Sequence, residues 1–206
     1  MDGNQRWSKK NNLKIIDGYV KGLEKIEEIT DYCLKFKIKT LTVYALSAEN
    51  FKRSSINILF NLIKDKYFKF LSEINKDNKV KINIIGENEN LNNDLKEILG
   101  QITNDTINNQ NLILNIVFNY GVQSELTHII KEIIKNKKHI TYENIRSEMY
   151  LGDQNDPDLL IRTGGYQRLS NFIPLNLSYT EFFFTKTLWP DFTIDDLANI
   201  IKSYKN

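Results

Sequence analysis

An α/β fold with a mainly parallel central sheet flanked by helices is what this sequence predicts, on three observations. Short apolar runs rich in β-branched residues alternate with longer segments whose apolar residues recur at helical spacing, the pattern of a parallel sheet covered on both faces. The runs at 40–46, 80–85, 112–118 and 159–161 are mostly apolar throughout, as strands buried on two faces are. Polar residues gather where these runs end, and in open α/β sheets that edge is where ligands bind.

The bulk properties narrow the function. At 206 residues and 41% hydrophobic the chain fits one domain with one sizeable core. Its 28 basic and 26 acidic residues leave a net charge of +2, so no global field selects nucleic acid or a membrane, and any anion site must be local. The single cysteine, Cys33, falls in an apolar helical pattern, which excludes a disulfide framework and reads as a buried thiol in a reducing compartment. No apolar run is long enough to span a bilayer and the first ten residues are polar, so the expected location is cytoplasmic, with no nucleic-acid partner.

Taken in order, Met1-Asp2-Gly3-Asn4-Gln5-Arg6-Trp7 places a carboxylate, a glycine, an amide and an arginine within five residues. That set can hold a cation and donate to phosphate, and it can equally make an ordinary turn. Leu23, Ile26, Ile29 and Cys33 predict a helix over 19–35. The strand at 40–46 runs directly into Ser47-Ala48-Glu49-Asn50-Phe51-Lys52-Arg53. Ile56, Leu59, Phe60, Ile63, Tyr67, Phe70 and Ile74 then keep a helical rhythm on an unusually broad apolar face, either a well-buried helix or one wall of a greasy cavity. The strand at 80–85 closes on Gly86, and Leu91, Leu95, Ile98, Leu99 and Ile102 make the next amphipathic helix. The strand at 112–118 ends at Asn119-Tyr120-Gly121, and Leu126, Ile129, Ile130, Ile133 and Ile134 form the helix after it. His128 and His139 sit among lysines and polar residues and read as solvated. Near the end, Glu181 adjoins Phe182-Phe183-Phe184, and a last helix spans 194–204, whose first turn explains Asp195 and Asp196.

The stretch from Asp158 to Phe172 changes character within a few residues. Leu159-Leu160-Ile161 reads as a buried strand, and Arg162, Gly164, Gly165, Arg168 and Ser170 follow at once. Glycines let the backbone bend close to a ligand, and two guanidiniums offer forked donors that match phosphate oxygens. Taken alone, the stretch reads as a phosphate or diphosphate site or as a surface turn with two solvated arginines.

The ordered set of motifs, however, resembles the cis-prenyltransferases, the undecaprenyl diphosphate synthase family. Those motifs are the opening Met1-to-Trp7 run, Tyr44 to Arg53, Asn119-Tyr120-Gly121, Asp158 to Phe172, and Tyr179-Thr180-Glu181-Phe182-Phe183-Phe184 followed by Leu188-Trp189-Pro190-Asp191-Phe192. They cover nearly the whole chain. The resemblance implies a fold with a hydrophobic tunnel, and an enzyme that condenses isopentenyl diphosphate with an allylic diphosphate such as farnesyl diphosphate, adding a Z double bond. A cell-wall lipid carrier precursor is the implied product, Mg²⁺ the cofactor and a homodimer the assembly, with at most peripheral membrane contact for product release. By the same resemblance Asp2 is the essential acid and a metal ligand, and Gly3, Asn4, Gln5, Arg6, Trp7 and Tyr19 belong to the allylic diphosphate site. Ser47, Ala48, Glu49 and Phe51 lie on the segment over that site, Asn50 is the proton acceptor, and Arg53 is a further diphosphate contact. Arg162, Arg168, Leu169 and Ser170 form the isopentenyl diphosphate pocket, and Glu181 is the second metal carboxylate. The helix at 56–74 and the strand at 41–46 are the expected tunnel walls.

Several positions depart from the family pattern. Gln5 stands for a glycine, Tyr19 for a histidine, Ile15 for an arginine, and Tyr166 and Gln167 for an acid and a histidine, while Val122-Gln123 replaces glycine and arginine. The resemblance also leads to the expectation that the domain lacks a first strand and a C-terminal tail, and that an apolar segment is encoded upstream. A chain beginning at Met1 is then expected to be poorly stable and weakly active. Two competing readings are a non-catalytic partner subunit of an active homologue and a nucleotide enzyme. Retention of Asp2, Asn4, Asn50, Arg162, Arg168, Ser170 and Glu181 argues against the first, and the lack of a Gly-rich dinucleotide loop or P-loop against the second.

Overall fold

The computed structural model describes residues 1–47, 79–87, 91, 93–152 and 154–204. In chain order these form α1 (Asn4–Lys10), α2 (Ile15–Lys35), β1 (Thr40–Ser47), β2 (Val80–Ile85), α3 (Asn93–Thr106), β3 (Leu112–Tyr120), α4 (Val122–Lys135), α5 (Tyr142–Glu148), β4 (Leu159–Arg162), β5 (Glu181–Phe184) and α6 (Ile194–Tyr204). Every strand pairing is parallel, in a three-stranded sheet of order β1-β3-β2 and a two-stranded sheet β4-β5. The expected helix at 56–74 lies outside the described residues.

Among the described residues the predicted strands and helices form where the apolar pattern placed them, and their ends move for local reasons. Helix α2 begins four residues early because the Asp17 carboxylate accepts from the Lys14 backbone N–H at 2.9 Å, closing a capping turn. Helix α6 is capped by a reciprocal pair: Thr193 N–H donates to Asp196 Oδ2 at 2.9 Å and Asp196 N–H to Thr193 Oγ1 at 3.1 Å. That accounts for Asp196 as a cap. Two short helices, α1 and α5, carry too few apolar residues to show a period. Strand β5 is apolar but not buried, since Phe182 and Phe184 are 45% and 37% exposed. His139 is exposed as expected, whereas His128 is half-buried and stacks on Tyr150 at 5.0 Å.

Strand β3 is the spine of the fold. On one face Leu112, Leu114, Ile116 and Phe118 share a core with Ile26, Ile29 and Cys33 of α2 and Leu95, Leu99 and Ile102 of α3. On the other, Val117 packs with Leu160, Ile173 and Leu177. A strand covered on both sides loses its alternation, which is why 112–118 read as a continuous apolar run. The exception is Asn115, fully buried on the second face. Its register partners are Thr42 on β1 and Asn83 on β2, and all three side chains join in one rung. Asn83 Nδ2 donates to Asn115 Oδ1 at 3.0 Å, and Asn115 Nδ2 donates to Thr42 Oγ1 at 3.1 Å and to Gln154 Oε1 at 2.7 Å. Polar groups meet across the sheet in one register only, so the rung opposes slippage.

Two outcomes follow from this packing. Asn115→Ala leaves the Asn83 amide, the Gln154 carbonyl and the Thr42 hydroxyl short of a partner, and should lower stability by about 2–3 kcal/mol in urea unfolding. An unchanged midpoint would mean that water replaces the rung. Cys33 is 3% exposed and burial pushes its thiol up to about 12. Because the folded pKa is raised, the protonated thiol favours the native state fully below the ordinary thiol range, and this contribution fades as pH rises from there toward 12. Thiol labelling at pH 8 should therefore proceed only as fast as the chain unfolds, and rapid labelling of native protein would contradict it.

Candidate active site

The first residues of the chain are clamped between two distant segments. The Thr163 hydroxyl accepts from Asp2 N–H at 3.0 Å and donates to the Asp2 carbonyl at 3.0 Å, and Trp189 N–H donates to the same carbonyl at 3.0 Å. Gly3 has φ +116°, and a Cβ there would lie 2.9–3.1 Å from Leu188 atoms. Only glycine combines that backbone geometry with so close an approach. Helix α1 then packs on the glycine side of α2: an added Cβ on Gly18 would stand 2.3 Å from Asn4 O and Ser8 Oγ. The glycines on α2 let α1 sit close.

This clamp delivers Asp2 to the end of β4. Arg162 Nη2 donates to Asp2 Oδ2 at 3.1 Å, and Arg6 Nη2 to Asp2 Oδ1 at 3.2 Å. Arg6 Nη1 also donates to Gly164 O at 2.7 Å, while Arg162 Nη1 reaches Ser170 Oγ at 3.0 Å and the Arg168 carbonyl. The Arg162 side chain is 14% exposed, Asp2 35% and Arg6 44%, so the cluster opens from a buried root to solvent. Two guanidiniums flank one carboxylate, an excess of positive charge that a diphosphate would neutralise. Arg162 Nε is buried with no partner among the described residues. The loop is shaped for this: Gly164 and Gly165 take φ +87° and +83°, and their N–H groups donate to Thr187 O and Thr185 O. A Cβ on Gly164 would meet Arg6 Nη2 at 2.6 Å.

Beside this cluster lies an apolar cavity of about 60 Å³, lined by Leu23 and Ile26 of α2, Ala45, Ile84, Ile116 and Phe118 of the sheet, Leu95 and Leu99 of α3, and Asn4 and Tyr19. Of the expected tunnel walls, the strand at 41–46 contributes Ala45. Helices α2 and α3 supply walls that the sequence reading did not assign. Asn4 Oδ1, on this lining, is buried without a hydrogen-bond partner among the described residues.

The structure thus brings together Asp2, Gly3, Asn4, Arg6, Arg162, Arg168 and Ser170. Gln5 and Tyr19, both departures from the family pattern, bond to each other: Gln5 Nε2 donates to Tyr19 OH at 2.9 Å. The Trp7 indole N–H donates to Asp191 Oδ1 at 2.6 Å and braces α1. Leu169 packs half-buried against the core that contains Val117 and Tyr120. Ser47 ends β1 opposite Tyr120. Ala48, Glu49, Asn50, Phe51 and Arg53 lie outside the described residues. Glu181 is exposed and begins β5 in register with Leu159, three residues before Arg162, so its backbone lies about 10 Å along the strand from the level of Arg162. Its charge also bears on Tyr204, whose hydroxyl is raised by Asp158 first and by Glu181 as well. Sequence reasoning missed Thr163, Leu188 and Trp189, because nothing local announces a bond to a residue 161 positions away.

No cluster of three or more candidate ligands exists among the described residues. Asp2 nevertheless suits Mg²⁺, which takes one or two carboxylates and completes its shell with water and substrate phosphate oxygens. A carboxylate has about four acceptor positions, and the two arginines occupy only part of them.

Comparison with known proteins places this geometry in context. A family model described as "Putative undecaprenyl diphosphate synthase" matches residues 1–206. An isoprenyl transferase of Enterococcus faecalis is 37% identical over 219 residues, covering 100% of this chain and 80% of that protein. One from Aquifex aeolicus is 35% identical over 207 residues, covering 99% and 89%. The solved structure of lavandulyl diphosphate synthase from Lavandula x intermedia, in complex with dimethylallyl diphosphate, superposes with a TM-score of 0.91 at 26% identity, covering 100% of this chain and 92% of that one.

The clamp itself can be probed. Thr163→Val keeps the shape but removes both hydroxyl bonds to Asp2, leaving a backbone N–H unpaired. Stability should drop by about 1–2 kcal/mol in chemical denaturation. An unshifted midpoint would show that Trp189 alone holds Asp2.

Proposed function

This chain belongs to the undecaprenyl diphosphate synthase family of isoprenyl transferases, and from that membership we propose that it condenses isopentenyl diphosphate with an allylic diphosphate such as farnesyl diphosphate to make a Z-polyprenyl diphosphate. The observation that carries the reading is the convergence of Asp2, Arg6, Arg162 and Ser170 on one point beside an apolar cavity. Breaking the allylic carbon–oxygen bond leaves negative charge on diphosphate. Donors already aimed at that position stabilise it without reorganising. Arg6 and Arg162 are held in this way by Gly164 O and Ser170 Oγ.

The isopentenyl double bond then attacks the allylic carbon, and loss of a proton forms the new double bond. Asn50 is the residue proposed to receive it. The apolar lining keeps water from quenching the developing cation and gives the hydrocarbon a dry place to lie. Asp2 would hold Mg²⁺, which supplies Lewis-acid stabilisation of the diphosphate charge when bound.

The proposal extends to a lipid carrier precursor for cell-wall synthesis as the product, a homodimer as the assembly, and a cytoplasmic location with at most peripheral membrane contact. Exposed Phe182 and Phe184, stacked on each other along β5, support a partner surface. No helix among the described residues is long and apolar enough to cross a membrane. No observation favours a non-catalytic partner subunit.

Incubation with farnesyl diphosphate, labelled isopentenyl diphosphate and Mg²⁺ should yield an extractable labelled lipid, and chelation should abolish it. Arg162→Lys, which loses the forked geometry, should lower kcat/KM by about 10- to 100-fold, the equivalent of one charged hydrogen bond. Absence of any product beside an active control enzyme would sink the reading.

A further inference from the structure

We propose that Tyr166 is a positioning residue that holds Arg6 of the allylic diphosphate site and Arg168 of the isopentenyl diphosphate pocket in place together. The inference rests on the function proposed above and assigns to it a residue that the site reading left out. The Tyr166 ring lies under both guanidiniums, with its centroid 4.9 Å from Arg6 Cζ and 4.4 Å from Arg168 Cζ. Arg6 comes from α1 and Arg168 from the glycine loop, so the ring joins the two segments.

The two arginines depend on it differently. Arg6 has two further anchors, Asp2 Oδ1 and Gly164 O. For the Arg168 guanidinium, the Tyr166 ring is the one partner found among the described residues; only its backbone carbonyl is otherwise engaged, by Arg162. An exposed arginine without an anchor samples many rotamers, and fixing it on binding costs conformational entropy. A ring under the guanidinium restrains it through its face and leaves the N–H edges free for phosphate oxygens. A carboxylate at the same place would use those edges in an ion pair.

The ring also holds two like charges close together in the empty site. The negative face of an aromatic ring attracts each cation and offsets part of their repulsion. Tyr166 is 44% exposed, and its hydroxyl makes no hydrogen bond among the described residues. The ring alone is therefore the active part, and phenylalanine should replace it.

The test uses the full chain with Tyr166→Phe and Tyr166→Leu. Inorganic diphosphate is titrated by calorimetry, and KM and kcat are measured for both substrates. Tyr166→Leu should weaken diphosphate binding and raise both KM values by about 2- to 5-fold, with kcat moving less, while Tyr166→Phe stays near wild type and the thermal midpoints agree. Unchanged affinity in Tyr166→Leu, an equal loss in Tyr166→Phe, a rise in only one KM, or no diphosphate binding by the wild type would each overturn the proposal. Weaker diphosphate binding by Tyr166→Leu in a chain that condenses nothing would support the Tyr166 role and refute the condensation.

Discussion

The site depends on where one backbone segment is held. Asp2 is useful only if its carboxylate stands between Arg6 and Arg162, and that position is set by main-chain bonds to Thr163 and Trp189. Each neutral bond is worth only about 1 kcal/mol net. Their value lies in geometry, because three bonds from two directions leave the residue little freedom. Gly3 and Gly164 are the counterpart of this arrangement, since side chains there would push the segments apart.

The sheet gives the clamp a fixed base. With β3 packed on both faces, the ends of β1 and β3 are set by the core, and the Asn115 rung adds register to packing. A wholly apolar β3 would bury as much surface but would discriminate less between registers. The buried amides trade some hydrophobic gain for a single alignment.

How much of this was legible in the sequence divides by the range of the interaction. Apolar runs disclosed β1 to β4, most plainly β3, whose burial on both faces writes itself locally. The Arg162 loop was legible too, since glycines and guanidiniums follow an apolar strand abruptly. Helix α1 was not, because it is short and polar and is held by its contact with Gly18 and Gly22 rather than by an apolar stripe. The bond between Gln5 and Tyr19 was equally hidden: each looked like a separate departure, and only the fold shows them as a pair. Glu181 marks the opposite limit. The resemblance implies a metal role for it, and its level beside Leu159 is set by the register of β4 and β5, which no local pattern discloses.

The span of the clamp sets an order of assembly. Contacts between Asp2 and residues 160 or more positions away belong to the slow class of chain closures, whose entropy cost falls due before any reward arrives. Helices such as α2 can form from local contacts, whereas Asp2 reaches its place only after β4 and the turn at Trp189 are in position. The opening residues also lie outside the sheet, so the clamp can open while the strands stay paired. Turnover is thus the last property a folding molecule gains and the first a warming one loses, so inactivation should precede the collapse of secondary structure.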